Sequence, residues 1–279
     1  MGMGMGKVKG WKKMRWSGHV IVVSLAIGYI YLSSVLVFIK AWFGLGSSPG
    51  IINALLFTAL ALLCISNYAL AMFTDPGSVP PSFAPDIEDP LHPIHEIKRK
   101  GGDLRYCKKC CLYKPPRSHH CRICKRCVLR MDHHCVWMNN CVGHANYKLF
   151  FVFVAYALLA CLYSLILLLG SLTVDTQQSE GPYRSVYVHH FRAVANSTEH
   201  GFRCFSGLAY LPNLTKQNHN RDQGGNVYSH PYDLGVYENL ITVLGPNVLC
   251  WVCPVSSYIG SGLHFRTAYD RHATATTTS

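Results

Sequence analysis

Charged side chains are scarce in this chain, and acidic ones are the scarcest. Only 14% of the 279 residues are charged, and 14 Asp and Glu face 26 Lys and Arg, so the formal net charge is +12. So few charges, beside a hydrophobic fraction of 49%, disfavour an ordinary soluble protein. The basic excess favours a partner that is nucleic acid, a membrane surface or an anionic ligand.

The N-terminus has neither a convincing signal peptide nor a good myristoylation site. Its basic stretch MGMGMGKVKGWKKMRW leads into a full-length apolar run, which argues against a cleaved signal peptide. Gly6 stands where myristoylation requires Ser or Thr. We expect residues 1–19 to be a cytosolic N-terminus.

Long apolar runs are present and predict membrane spans. Residues 20–39, 51–73 and 149–172 carry no charge, and each run is long enough to cross a bilayer as a helix. A buried core helix is the alternative for each run, but three such runs are rare in soluble chains. Residues 240–254 are apolar too, but this stretch is short and contains Pro246, so we expect a packed or interfacial segment there.

The basic residues predict how the spans are oriented. Five of the 26 precede the first span, and 13 lie between Lys98 and Lys148. Because Lys and Arg accumulate on the cytosolic side, the N-terminus and the segment 74–148 are both expected in the cytosol. Thiols in that segment would stay reduced.

The segment 74–148 contains an unusual concentration of cysteines. Eight of the 13 cysteines lie between Cys107 and Cys141, together with several histidines, which favours metal binding over disulfides. With Cys111 and Cys135 left aside, six cysteines and two histidines make two complete Cys3His zinc sites. One zinc site with spare cysteines is the alternative, and spacing alone does not select the histidines.

The stretch RMDHHCVWMNNCVG holds a possible nucleophile as well as possible metal ligands. Successive side chains of an extended chain point to opposite faces, so His133 and His134 can serve different purposes. One could face a metal while the other faces Cys135, and a thiol beside a basic histidine is a minimal activated nucleophile. Asp132 could hold the other imidazole nitrogen and favour the protonated ring.

Residues Cys107 to Phe150 resemble the cysteine-rich domain of the DHHC protein S-acyltransferases, or palmitoyltransferases, at nearly every motif position. TDPG after the second run is similar to the family's DPG motif. HPYDLGVYENLITVLGPN is similar to the family's C-terminal tail element, with Asn239 at its asparagine, and these details are closest to plant-type members.

The resemblance implies a set of site residues. It implies that one zinc is bound by Cys107, Cys110, His120 and Cys127. It implies that a second zinc is bound by Cys121, Cys124, His134 and Cys141. It also implies catalytic roles for Cys135 as nucleophile, His133 as base and Asp132 as the residue that orients the base.

The implied function is transfer of a long-chain acyl group, such as palmitoyl, from acyl-CoA to a protein cysteine through an acyl-enzyme on Cys135. Two structural zinc ions are the expected cofactors, and acyl-CoA is the expected co-substrate. The expected partners are the membrane and substrate proteins with cytosolic juxtamembrane cysteines, and no nucleic acid. We expect a multi-pass protein of an endomembrane, Golgi or ER, with its active site facing the cytosol.

The predicted fold is a polytopic α-helical membrane protein with a cytosolic two-zinc domain, about residues 105–150, between spans 2 and 3. The chain has three clear spans where the family normally has at least four, and it lacks the family's TTxE motif. An atypical polar segment, residues 173–224, precedes the family-like tail, residues 225–279. Its part 188–224 lies where the fourth span should be, either through splicing or a gene-model error or as a real loop of a divergent member.

This departure leaves other functions open. With three spans, the C-terminal hundred residues would lie opposite the active site, and the tail around Asn239 could not pack against it. The chain would then be a catalytically disabled, membrane-bound zinc module that binds partners. A nucleic-acid-binding zinc protein is a third possibility, which the three spans oppose.

Overall fold

Three helices in the structure are long and apolar enough to cross a membrane, as predicted. The computed structural model describes residues 17–85, 104–175, 184–209, 232, 234–255 and 260–267. The three helices are α1 (Gly18–Trp42), α2 (Ser48–Phe73) and α3 (Tyr147–Asp175). They carry apolar side chains on every face, as in helices that contact lipid.

Serines define the starts of α1 and α2 and a local widening within α1. The Ser17 hydroxyl accepts a hydrogen bond from the Val20 amide, and Ser47 caps α2 in the same way. Residues Ser34–Ile39 of α1 form a π-helical turn, and the Ser34 hydroxyl donates to the Ile30 carbonyl there. These contacts satisfy polar groups within the helix, as a membrane requires.

A fourth helix, α4 (Arg184–Ala209), occupies part of the segment that seemed too polar for a span. It packs against α3 and α1. Tyr187, His190 and Val194 are buried at helical spacing. Its buried face contains a histidine and its outer face carries charge, so hydropathy alone does not count it as a span. The polar segment therefore has a helical period over these residues.

His190 joins three helices through hydrogen bonds. Its Nδ1 lies 2.7 Å from the Ser33 hydroxyl of α1, and its Nε2 lies 2.6 Å from the Ser164 hydroxyl of α3. The ring is fully buried and contacts Phe38 edge-on, with 4.5 Å between centroids. Both ring nitrogens are satisfied, so a polar side chain fits inside an apolar bundle.

We expect replacement of His190 with alanine to destabilise the bundle by about 2–4 kcal/mol, because it opens a cavity and removes two buried hydrogen bonds. Thermal unfolding of the detergent-purified protein measures this. The exposed neighbour His189, changed to alanine, is the matched control and should have little effect. Equal stability of the two variants would contradict the role given to His190.

The C-terminal tail does not lie opposite the active site, where three spans alone would have placed it. The tail helix α5 (Val236–Leu244) packs against the beginning of α3, at the end of the bundle that carries the cysteine-rich segment. Helix α4 is about 39 Å long at 1.5 Å per residue, enough to return the chain to that end. A helix formed by the polar segment is the physical reason for the difference.

The cysteine-rich segment forms three antiparallel two-stranded hairpins. They pair β1 (Tyr106–Cys107) with β2 (Leu112–Tyr113), β3 (His119–Cys121) with β4 (Arg126–Val128), and β5 (His133–Cys135) with β6 (Asn140–Val142). Each turn ends in a residue with positive φ, namely Cys111, Lys125 and Asn139. A short hairpin needs this left-handed residue to reverse tightly.

Candidate active site and metal centres

The three hairpins repeat every 14 residues. Cys107, Cys121 and Cys135 each end the first strand of a hairpin, 14 residues apart. Three residues further on come Cys110, Cys124 and Met138. The third hairpin therefore has a methionine where the first two have the second cysteine of a C-x2-C pair. The sequence contains this repeat, and our sequence analysis did not use it.

The first cluster is built from the first two hairpins. Its members, whose ligand atoms all lie within 4.8 Å of one another, are Cys107, Cys110, His120 and Cys127. The three thiols lie 3.6, 3.2 and 3.9 Å from Nδ1 of His120. Partial burial and the charges of Lys109 and Lys114 lower the pKa of His120, which favours the neutral imidazole that a metal requires.

The second cluster joins the second and third hairpins in the same way. Its members, also within 4.8 Å of one another, are Cys121, Cys124, His134 and Cys141. Their thiols lie 3.6, 3.5 and 3.5 Å from Nδ1 of His134. Hydrogen bonding with Cys141 lowers the pKa of Cys124, which favours the thiolate that a metal requires.

Both clusters fit zinc. A tetrahedral zinc with Zn–S of about 2.3 Å and Zn–N of about 2.0 Å separates its ligand atoms by about 3.5–3.8 Å. The observed separations lie around these values, and the Cys3His donor set is one that zinc prefers. The structure thus brings together both quartets that the family resemblance implied, and either quartet could hold a metal ion.

Cys135 belongs to neither cluster. It stands at the position of Cys107 and Cys121 in the repeat, but no fourth hairpin follows among the described residues to complete a third quartet, and Met138 replaces the second thiol. The third hairpin contributes His134 and Cys141 to the second cluster, and Cys135 is a member of neither. The residue is 5% exposed, in an apolar cluster with residues of α2, α3 and α5. Cys135 is therefore a buried thiol that neither quartet uses.

Asp132 and His133 complete a row with Cys135. The Asp132 carboxylate lies 2.8 Å from Nδ1 of His133, and the Cys135 thiol is a further hydrogen-bond partner of the ring. Burial alone would lower the pKa of His133, but the hydrogen bonds and charges of these two partners raise it to about 9. The imidazole is therefore protonated at neutral pH, which favours a thiolate beside it.

Two asparagines fix the third hairpin to the end of α2. The Asn140 side-chain amide donates to the carbonyls of Ala71, Met72 and Thr74, at 3.3, 3.1 and 2.9 Å. The Asn146 amide donates to the Ala71 carbonyl at 3.1 Å. These bonds satisfy carbonyls that the end of a helix leaves unpaired. Cys135 is thereby held at the end of a membrane-crossing helix.

The DPG residues bind the second hairpin. Asp75 accepts two hydrogen bonds from the Arg126 guanidinium, at 2.7 and 3.1 Å, and a third from the Gly77 amide. Gly143 lies against this segment, and a Cβ there would come within 2.8 Å of the Pro76 carbonyl and 2.7 Å of Val128. Only glycine fits at position 143 without displacing backbone.

The C-terminal tail closes the other side of the site. Buried Val243 and Leu244 of α5, with Trp251 after it, pack into the apolar cluster that contains Cys135. The Asn239 side-chain amide oxygen, Oδ1, accepts a hydrogen bond from the Leu234 backbone amide at 3.2 Å, which ties down the start of α5. The sequence analysis placed this element opposite the active site only for a chain that has no more than three spans.

A membrane protein with paired Cys3His clusters and a thiol beside a histidine and an aspartate is suited to thiol-dependent group transfer at a bilayer. Residues 100–215 match the family model described as DHHC palmitoyltransferase. Probable protein S-acyltransferase 16 of Arabidopsis thaliana is 57% identical over 273 residues, covering 93% of this chain and 96% of that protein.

Two further relatives agree with this match. Probable protein S-acyltransferase 15 of Arabidopsis thaliana is 41% identical over 240 residues, covering 82% of this chain and 93% of that protein. Palmitoyltransferase ZDHHC7 of Rattus norvegicus is 38% identical over 151 residues, covering 54% of this chain and 47% of that protein. The chain belongs to the DHHC palmitoyltransferase family and is a protein S-acyltransferase.

Proposed function

We propose that the acyl group passes through Cys135, from a long-chain acyl-CoA to a cysteine of a substrate protein. The Cys135 thiolate attacks the thioester carbonyl, a new C–S bond forms, and CoA leaves as a thiolate that takes the proton of His133. An acceptor thiol then gives its proton to His133 and attacks the acyl-enzyme, and Cys135 leaves as a thiolate. Each step exchanges one thioester for another, so no other energy source is needed.

The row Asp132–His133–Cys135 is the observation that carries this proposal. The carboxylate 2.8 Å from Nδ1 leaves the other ring nitrogen for proton transfer with sulfur. A protonated imidazole with a pKa of about 9 stabilises the thiolate that attacks and then supplies the proton that the leaving CoA requires. Asp132 orients the ring and does not touch the substrate.

Zinc bound in the two clusters would be structural in this proposal. In each cluster four protein ligands are available, which leaves no open position for substrate. A bound zinc supplies folding energy to the small hairpins, which contain few large apolar side chains. The hairpins in turn hold Cys135 at the bilayer surface.

The surroundings of Cys135 suit both ends of an acyl-CoA. Tyr68 of α2 and Phe150 and Val154 of α3 share its apolar cluster, so an acyl chain on the thiol would extend between the helices. Exposed cations on the hairpins, such as Lys108 and Arg122, suit the phosphates of CoA. The acceptors would be proteins with cysteines close to the membrane.

The location is part of the proposal. The basic N-terminus and the basic segment between α2 and α3 favour an active site in the cytosol. We propose an endomembrane, Golgi or ER, as the site of action. The non-catalytic alternative relied on a missing fourth span and a missing TTxE motif, and α4 weakens the first ground because it supplies a helix that packs against α1 and α3.

Autoacylation tests the proposal directly. We expect the purified chain, incubated with a clickable palmitoyl-CoA analogue, to take up a label that hydroxylamine removes, and we expect Cys135→Ser to lose the label. Cys111→Ser is the matched control, because Cys111 is exposed and outside both clusters. A wild-type chain that binds two zinc ions yet takes up no label would overturn the proposed function.

A further inference from the structure

Two cysteines after α5 have no part in the site described above. Cys250 ends a short 3-10 turn, Val248–Cys250, and Cys253 follows with C-x2-C spacing. Both are partly exposed and neither is in a disulfide. By contrast, Cys64 and Cys161 are buried within the helix bundle. Cys250 and Cys253 are therefore reachable thiols.

This turn lies along the beginning of a membrane-crossing helix. The Lys148 ammonium of α3 donates to the Cys250 carbonyl at 2.7 Å, and the Tyr156 hydroxyl donates to the Val252 carbonyl at 2.8 Å. Eight residues separate the two donors, or about 12 Å along the helix. The turn therefore follows the first two turns of α3, where the apolar part of the bilayer begins.

The side chains of the turn divide between the enzyme and its surroundings. Trp251 packs into the cluster that contains Cys135, whereas Leu249 and Val252 point outward with 83% and 60% of their surface exposed. Exposed apolar side chains beside a membrane-crossing helix fit the apolar edge of a bilayer. An acyl chain attached at this turn would enter the same layer.

The chemistry of a reachable thiol suits an acyl acceptor, because a thiol that has lost its proton exchanges with a thioester.

We propose that Cys250 and Cys253 are S-acylation sites of this enzyme, loaded with a long-chain acyl group from its own acyl-Cys135. The thiolate of either cysteine attacks the acyl-enzyme carbonyl, a new C–S bond forms, the bond to Cys135 breaks, and Cys135 leaves as a thiolate. Before the attack, the acceptor thiol gives its proton to His133, which lost its own proton to the departing CoA in the first step. This inference rests on the proposed function, because it requires an acyl group on Cys135.

Intact-mass measurement of the purified full chain in lipid nanodiscs, after incubation with palmitoyl-CoA, counts the acyl groups. We expect more than one palmitoyl group per wild-type chain and per Cys111→Ala chain. The double variant Cys250→Ala/Cys253→Ala should carry at most one, and hydroxylamine should remove all of them. Cys135→Ser should carry none.

Three results would overturn the inference, and they are distinguishable. A single acyl group on the wild type and the double variant alike, lost in Cys135→Ser, would leave the proposed function standing and remove only the tail sites. Acyl groups on Cys250 or Cys253 in Cys135→Ser would mean that acyl-CoA reacts there without the enzyme's nucleophile. No acyl group on a zinc-loaded wild-type chain would remove the proposed function as well.

Discussion

Replacement of His133 with alanine is expected to slow autoacylation at neutral pH by about 10²–10⁴-fold, the usual contribution of a positioned acid–base group. Without the imidazolium, the Cys135 thiol loses the charge partner that favours its thiolate. The leaving CoA also loses its proton donor. Single-turnover labelling with palmitoyl-CoA, quenched at short times, measures the rate.

The 14-residue repeat supplies a matched control. His119 occupies the position in the second hairpin that His133 occupies in the third, and it belongs to neither metal cluster. His119→Ala should keep autoacylation within about two-fold of wild type, because the effect of His133 is expected to come from acid–base catalysis and not from hairpin packing. Equal rates for wild type and His133→Ala would refute the role of His133.

The pH dependence of the autoacylation rate should follow the ionisation of His133. The folded-state pKa of His133, about 9, lies above the ordinary value near 6.5. The protonated ring therefore stabilises the folded site fully below about pH 6.5, and this stabilisation is lost as the pH rises through about 9. Autoacylation should fall on this alkaline side. Asp132→Asn removes a partner that raises the pKa, so it should move the fall to lower pH.

The alternation of side chains along a strand correctly predicted that His133 and His134 face different partners. Residues 133–135 form a strand, so alternation sends the His134 ring to the second cluster and leaves His133 beside Asp132 and Cys135. The sequence also offered six cysteines for two sites. It did not select among the histidines without the family resemblance, because each cluster combines two cysteines of one hairpin with a histidine and a cysteine of the next.

Long-range packing escaped the sequence analysis. Helix α4 was missed because its sequence is polar along its length, with Arg192 and Glu199 beside several histidines. Ser33 and Ser164 from two other helices nevertheless satisfy both nitrogens of its buried His190. The position of the tail could not be derived as a consequence. A helix packed in an apolar bundle can contain such a residue when its partners lie on neighbouring helices, and one segment alone does not reveal those partners.

The interleaved clusters predict unequal effects of losing each metal. Apparent zinc-binding energies of about 10–16 kcal/mol in small zinc domains rival the whole stability of a typical domain, about 5–15 kcal/mol. Losing a cluster should therefore separate the two hairpins that it joins, while a hairpin that the other cluster holds stays folded. The first cluster joins hairpins one and two, whereas the second attaches the hairpin that carries Cys135.

We expect Cys124→Ala, in the second cluster, to bind about one zinc fewer and to lose autoacylation altogether. Cys107→Ala, in the first cluster, should also lose about one zinc but keep measurable labelling, because hairpins two and three stay joined and Asn140 still binds the end of α2. Elemental analysis of purified protein gives the zinc content, and the labelling assay gives activity. Cys111→Ala is the control and should keep two zinc ions.

Full labelling of Cys124→Ala at reduced zinc content would show that the second cluster does not hold Cys135 in place. Equal loss in both cluster variants would mean that the three hairpins fold as one unit, with the shared second hairpin transmitting the loss of either metal to the nucleophile.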